Sequence, residues 1–298
     1  MAIIGRIVTN HGNLLALMMM MMAAVTSAVA VPNSALAAQS GHETTHTGQP
    51  ALAYQVKVVE RVELPRRSET PFEMFKDWRD SGCMLEPKQQ GRCEASYAFA
   101  GITMAEFYFC KASHKLVEFS EQYLIDCGKV HIDGINGCEG GDTYAVPNFI
   151  HNFGLKLASN HRYIGGLGQC PYTDETNVES TGDIRMEFSS YLTVPVDRWE
   201  AVLHHSPIYV LIRVHAGFEQ YKGGIYDGKG CGHRAHAMVV VGHGHEYGKE
   251  FWLLRNSYGT QWGEKGYFRL AKSAPAQCIY AGVGHVYGTS NGYEYSVG

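Results

Sequence analysis

The stretch Gln90-Gly91-Arg92-Cys93-Glu94-Ala95-Ser96-Tyr97-Ala98-Phe99 follows a Pro-Lys-Gln-Gln turn and opens an apolar run through Phe109. A small polar residue at the start of a buried helix sits where unpaired backbone N–H groups and the positive end of the helix dipole converge. Ser96 occupies such a seat, and the seat suits a nucleophile. Six residues upstream, Gln90 offers a side-chain N–H to an oxyanion. Together they point to attack on a carbonyl followed by stabilisation of the oxygen anion it creates. A second cluster, His233, His236, His243 and His245, lacks the ligand spacing of a standard metal site, so no metal or other cofactor is expected.

The elements that must position these residues follow from periodicity. Ser96–Cys110 is apolar on all sides, as a fully buried central helix would be. Ser120 is placed to N-cap the next helix, with Phe119 and Leu124 as a hydrophobic staple. A third helix runs to Phe153 and stops at Gly154. The second half changes period. After a short helix over Asp197–His205, Ile208–His215 and Met238–Val241 read as strands, and Phe251–Leu254 and Tyr267–Leu270 continue the series. A helical half followed by a stranded half predicts an α+β chain of two lobes side by side.

Composition narrows the partners and the compartment. The chain has 298 residues, ordinary hydrophobic (45%) and charged (18%) content, and a net charge of −4 with no basic run, which argues against a nucleic-acid partner. Eight scattered cysteines favour disulfides over zinc. Leu14–Val31 is apolar, follows Arg6, and precedes the small-residue patterns Ala28-Val29-Ala30 and Ala35-Leu36-Ala37. Residues 1–38 therefore read as a signal peptide. An uncleaved anchor is the alternative; the small, polar flank without stop-transfer charges favours cleavage and no membrane association afterwards. Residues 39–69 read as a short leader or linker.

Several ordered motifs resemble the papain/cathepsin family of cysteine peptidases, over about residues 71–298. Gln90, Gly91, Cys93, Ala98 and Phe99 match Q-G-x-C-G-S-C-W-A-F. Ser96 stands where that motif carries the catalytic cysteine, Glu94 where it carries glycine, and Tyr97 where it carries tryptophan. Asp77-Trp78-Arg79 with Gly82, Phe119–Cys127, Gly137–Gly141, and Phe218, Tyr221 and Gly224-Ile225-Tyr226 match further family segments. The resemblance implies a papain-like domain at residues 70–298, with a helical left lobe (about 70–185), a β-barrel-like right lobe (about 186–298) and a cleft between them. The leader is shorter than the long helical prosegment usual in that family.

By the same resemblance His236, in H-A-M-V-V-V-G and 140 residues after Ser96, is the base. Asn256, in R-N-S-Y-G, orients it, and Trp262-Gly263 follows in the family's order, with Trp262 implied as a substrate-binding residue. Gly140 and Gly141 match the glycines that offer backbone hydrogen bonds to an extended peptide. The implied disulfides are Cys93–Cys138, Cys127–Cys170 and Cys231–Cys278. Cys83 and Cys110 fall outside the pattern and are either a fourth bridge or two buried thiols.

A hydroxyl changes the chemistry. A thiol is drawn down to a thiolate by a neighbouring imidazolium and helix dipole, whereas an alcohol needs a neutral imidazole to take its proton during attack. Glu94 beside His236 would favour the charged imidazole and narrow the wall where substrate passes; the alternative is that it points to water. The leading expectation is a secreted or lysosomal homologue of the family, inactive as a cysteine peptidase, with its cleft kept as a groove for an extended peptide or protein. The second is an active serine-type hydrolase or a condensing enzyme like the silicateins, whose C-G-A-S-Y-A-F differs from Cys93–Phe99 only at Glu94. The third is a structural or interaction protein using its outer surface.

Overall fold

The run from Tyr97 to Cys110 has no continuous polar face, so a helix built from it must be enclosed all round. The computed structural model, which describes residues 72–171, 184–186, 190–288 and 295–297, encloses it. In α1 (Ser96–Ser113) every residue from Tyr97 to Cys110 is buried. The helix runs three residues past its expected end and closes at His114, in the left-handed region (φ 57), whose N–H returns to Cys110 O. In α2 (Glu121–His131) the Ser120 Oγ accepts from Tyr123 N at 2.9 Å, the expected cap. α3 (Ala145–Phe153) stops at Gly154 (φ 71). The expected signal peptide and leader lie outside the described residues.

The strands in chain order are β1 (Phe72–Asp77), β2 (Ile184–Met186), β3 (Ser190–Pro195), β4 (Ile208–Val214), β5 (Ile225–Tyr226), β6 (Arg234–Glu246), β7 (Lys249–Arg255), β8 (Tyr267–Ala271), β9 (Ile279–Gly288) and β10 (Tyr295–Val297). The main sheet runs β3-β9-β4-β6-β7-β8-β5, with β1 also on β6, while β2 and β10 pair separately. The sheet is open: among the described residues β3 and β5, at its two ends, do not pair with one another. The helix expected over Asp197–His205 is a 3-10 turn (Val196–Arg198) followed by a short α4 (Trp199–Leu203).

β1 crosses the expected lobe division: a strand from the start of the helical half joins the sheet of the other half. The reason lies in β6, whose edge is longer than β4 can cover. β4 pairs with residues 234–240 and β1 takes over from 242 to 246. The handover falls at Gly242, where a Cβ would lie 2.3 Å from Lys76 O. Only glycine permits that approach.

Buried hydrogen bonds fasten α1 against the sheet. Tyr209 Oη donates to Tyr97 O at 2.9 Å, and the Tyr108 and Ser206 hydroxyls meet at 2.5 Å. Four disulfides complete the frame: Cys93–Cys138, Cys127–Cys170, Cys231–Cys278, and the fourth bridge, Cys83–Cys110.

Candidate active site

Ser96 is the first residue of α1, and Ala95 before it supplies no side-chain cap. The first turn of the helix therefore has no side-chain capping oxygen, and the Ala98 and Phe99 N–H groups turn back to Ala95 O. The β6 strand lies against this end, and Ser96 Oγ accepts from Ala237 N at 3.1 Å. Side chains alternate along a strand, so Arg234 and His236 share one face of β6.

His236 Nε2 lies 2.7 Å from Asn256 Oδ1, and Asn256 Oδ1 also accepts from Ser257 N at 2.7 Å. An acceptor at Nε2 places the ring proton there and leaves Nδ1 as the lone pair of the neutral imidazole. The ring is only 1% exposed, with Tyr258 at 4.8 Å and Phe218 at 6.1 Å between ring centroids. Burial pushes its pKa down to about 4; the Asn256 bond opposes the shift, Arg234 adds to it and Glu219 opposes it. His236 is thus neutral at pH 7.

This corrects the expected influence of Glu94. Its side chain is 57% exposed and reaches Arg234 Nη2 at 3.5 Å. The charges acting on His236 are Arg234 and Glu219, and the water-facing alternative for Glu94 is the one that forms. The structure brings Ser96 and His236 together through Ala237, next to His236 in the strand; no hydrogen bond joins the hydroxyl to the imidazole among the described residues.

The Gln90 amide is already partly engaged. It is 2% exposed; Nε2 donates to Cys93 O at 2.8 Å and Oε1 accepts from Ser257 Oγ at 2.6 Å. One amide N–H is therefore committed to the backbone of the turn before Ser96. Gly140 and Gly141 lie beside that turn, tied by Cys93–Cys138 and by Glu94 N donating to Cys138 O at 3.0 Å. A Cβ on Gly141 would stand 2.6 Å from the Tyr97 ring, whereas nothing approaches one on Gly140 within 4 Å. Trp262, expected to face substrate, is 7% exposed and packs among Phe218, Tyr221, Tyr258 and Phe268.

Sequence reasoning missed Arg234, whose signal was its place two residues before His236 in a strand. Its Nη1 donates to Glu219 Oε1 at 3.1 Å and its Nη2 to Tyr258 Oη at 3.3 Å. Among the described residues no group of three or more His, Cys, Asp or Glu side chains is arranged to hold a metal ion, and no helix is long and apolar enough to cross a membrane.

A profile of the papain family cysteine proteases matches residues 73–285. A cathepsin L-like proteinase of Fasciola hepatica is 34% identical over 208 residues, 68% of this chain and 61% of that one. Cathepsin R of Mus musculus is 36% identical over 220 residues, 71% and 64% of the two chains. The chain thus spans about three-fifths of the length of these curated relatives. Among solved structures, the bromelain protease of Ananas comosus in complex with the E64 inhibitor superposes with a TM-score of 0.60 at 30% identity, covering 71% of this chain and 96% of that one. Digestive procathepsin L 3 of Tenebrio molitor larval midgut gives 0.62 at 29% identity, covering 74% and 72%.

Proposed function

The chain belongs to the papain family of cysteine proteases, and from that premise we propose that it has lost the family's thiol chemistry and keeps the cleft as a groove for an extended peptide. The observation that carries this reading is the cysteine inventory. The sequence has eight cysteines, and four disulfides use all eight. A thiolate is the nucleophile of a cysteine peptidase, and no thiol is left to become one.

On this reading Ser96 holds the nucleophile's place. An alcohol does not ionise at that seat, and a base whose conjugate acid titrates near 4 takes a hydroxyl proton poorly. The surroundings still favour a bound peptide. The side of Gly140 that a Cβ would occupy is open, and the E64 complex of bromelain has an inhibitor bound to a protease of the same fold. The disulfides fit an oxidising compartment, in keeping with a secreted or lysosomal protein. The test is to offer peptide amides, peptidyl esters and photo-crosslinking extended peptides to the purified chain. We expect no turnover, and crosslinks that map to the Gly140-Gly141 loop; amide turnover would overturn the reading.

One observation favours a second reading, a serine-type hydrolase or silicatein-like condensing enzyme using Ser96, His236 and Asn256. His236 is held neutral with Nδ1 unprotonated, the form a serine nucleophile needs. Ester turnover abolished by Ser96→Ala would support it over the first.

A further inference from the structure

Glu94, expected at the substrate wall, and Arg234, absent from the sequence-based site, meet beside it. Glu94 stands two residues before Ser96, on the wall tied to Cys138. Arg234 stands two residues before His236 on β6. Their contact, Glu94 Oε2 to Arg234 Nη2 at 3.5 Å, therefore joins the segment before Ser96 to the strand that carries His236. Arg234 also holds Glu219 at 3.1 Å and the Tyr258 hydroxyl at 3.3 Å, and the Tyr258 ring lies 4.8 Å from that of His236. The bridge thus continues into the aromatic cover that hides His236.

The charges in this bridge are unequal and loosely held. One guanidinium is shared by two carboxylates, leaving one negative charge in excess. The three side chains are 47% (Arg234), 57% (Glu94) and 52% (Glu219) exposed, so water screens their pairing and each contact is easily exchanged. Glu94 and Arg234 each stand two residues before a site residue, so a peptide laid along Ser96 and His236 would come against their contact. Once parted, Glu94 is a carboxylate without a cation at the mouth, and Arg234 remains with Glu219.

We propose that the Glu94–Arg234 bridge is a charge gate that selects peptides carrying a basic residue at the position beside Ser96, the ligand's Lys or Arg taking the place of Arg234 against Glu94. The inference rests on the peptide-groove reading and names the ligand class. A neutral side chain opens the gate without compensating Glu94. An acidic one meets Glu94 as a like charge and finds Arg234 already engaged by Glu219.

The experiment measures binding of N-acetylated hexapeptide libraries to the full chain, each with one position fixed as Arg, norleucine or Glu and the others randomised, at low and at 0.5 M salt. At one position Arg should bind about two- to fivefold tighter than norleucine, the range of an exposed ion pair, with Glu weakest. The preference should fade at high salt. Glu94→Gln should abolish the Arg preference without weakening the norleucine library. Arg234→Gln should keep or enlarge it, since the competing cation is gone. A structural role for the bridge would instead shift all libraries together. Binding without a basic preference, a preference for Glu, or an Arg preference indifferent to Glu94→Gln overturns the gate and leaves the groove standing. Failure of every library to bind overturns the groove and the gate with it.

Discussion

At the scale of single residues, the account turns on what surrounds position 96. A loss of three decades in rate corresponds to about 4 kcal/mol of transition-state stabilisation, less than the difference between a thiolate with an imidazolium and an alcohol with a poorly basic imidazole can remove. His236 is therefore the residue whose titration matters most. Buried behind Tyr258 and Phe218, it should stay neutral until about pH 4 in the folded chain. Between that value and the ordinary histidine value near 6.5 the unfolded chain binds the extra proton, so this group's contribution to stability is present above about pH 6.5 and is lost as pH falls toward 4. NMR titration of the His236 ring should show the low value, and an ordinary midpoint near 6.5 would mean the ring is open to water.

At the scale of elements, the wall around Ser96 depends on a loop that glycine brings close. Gly141→Ala would push a methyl into the Tyr97 ring, which is 2% exposed and bonded to Gly137 O. Overpacking of this kind costs about 1–3 kcal/mol, read as a shift in the denaturation midpoint, and an unchanged midpoint would mean the loop stands off the helix. Removing Cys93–Cys138 by a double change to alanine should cost roughly 4 kcal/mol, because the bridge closes a 45-residue separation. Much of this level was legible beforehand. Ser120, Gly154 and the unbroken apolar run marked the helices, and β-branched residues marked the middle of β6. Its ends were not legible, since Arg234-Ala235-His236 and His243-Gly244-His245-Glu246 carry none of those residues and become strand through pairing with β4 and β1. That β1 crosses to the sheet is likewise a tertiary outcome with no local signal.

At the scale of the whole molecule, the segment entering the site is held by a buried charge cluster. Lys88 Nζ lies 2.8 Å from Glu106 and 2.7 Å from Glu121. Burial works against the Lys88 charge, but the two carboxylates hold it protonated, above the usual lysine range. Glu121 is pushed up to about 7 by burial, with Lys88 opposing and Glu106 adding. A carboxyl raised in the folded state binds its proton there and not in the unfolded chain, so its contribution is fully present below about pH 4.5 and is lost as pH rises through about 7. Relative to Glu121→Gln, the natural chain should therefore lose stability between those values, as urea midpoints of the two proteins across that range would show; parallel curves would contradict it. The site divided in the same way as the fold. The order of Gln90, Ser96, His236 and Asn256 was readable because their flanks are distinctive. The outward turn of Glu94, the inward turn of the Gln90 amide and the Arg234 bridge depend on how side chains meet across the site, which no local stretch encodes.

The central claim is that the family's surroundings for a thiolate persist around a residue that is not cysteine, and Ser96→Cys tests it most directly. The helix dipole and the Ala237 N–H already bonded to Ser96 Oγ would stabilise a thiolate there, and the thiolate would in turn raise the pKa of the neighbouring His236 toward an ion pair. The measurement is the rate of thiol alkylation against pH, for Ser96→Cys alone and with Glu94→Gly. The natural chain should not react, since its cysteines are all in disulfides. Both variants should react with a thiol pKa well below 8.5, and the double variant should outpace the single one in peptide turnover because the gate at the mouth is gone. A thiol that titrates near 8.5 in both variants would contradict the account, showing that His236 does not serve position 96.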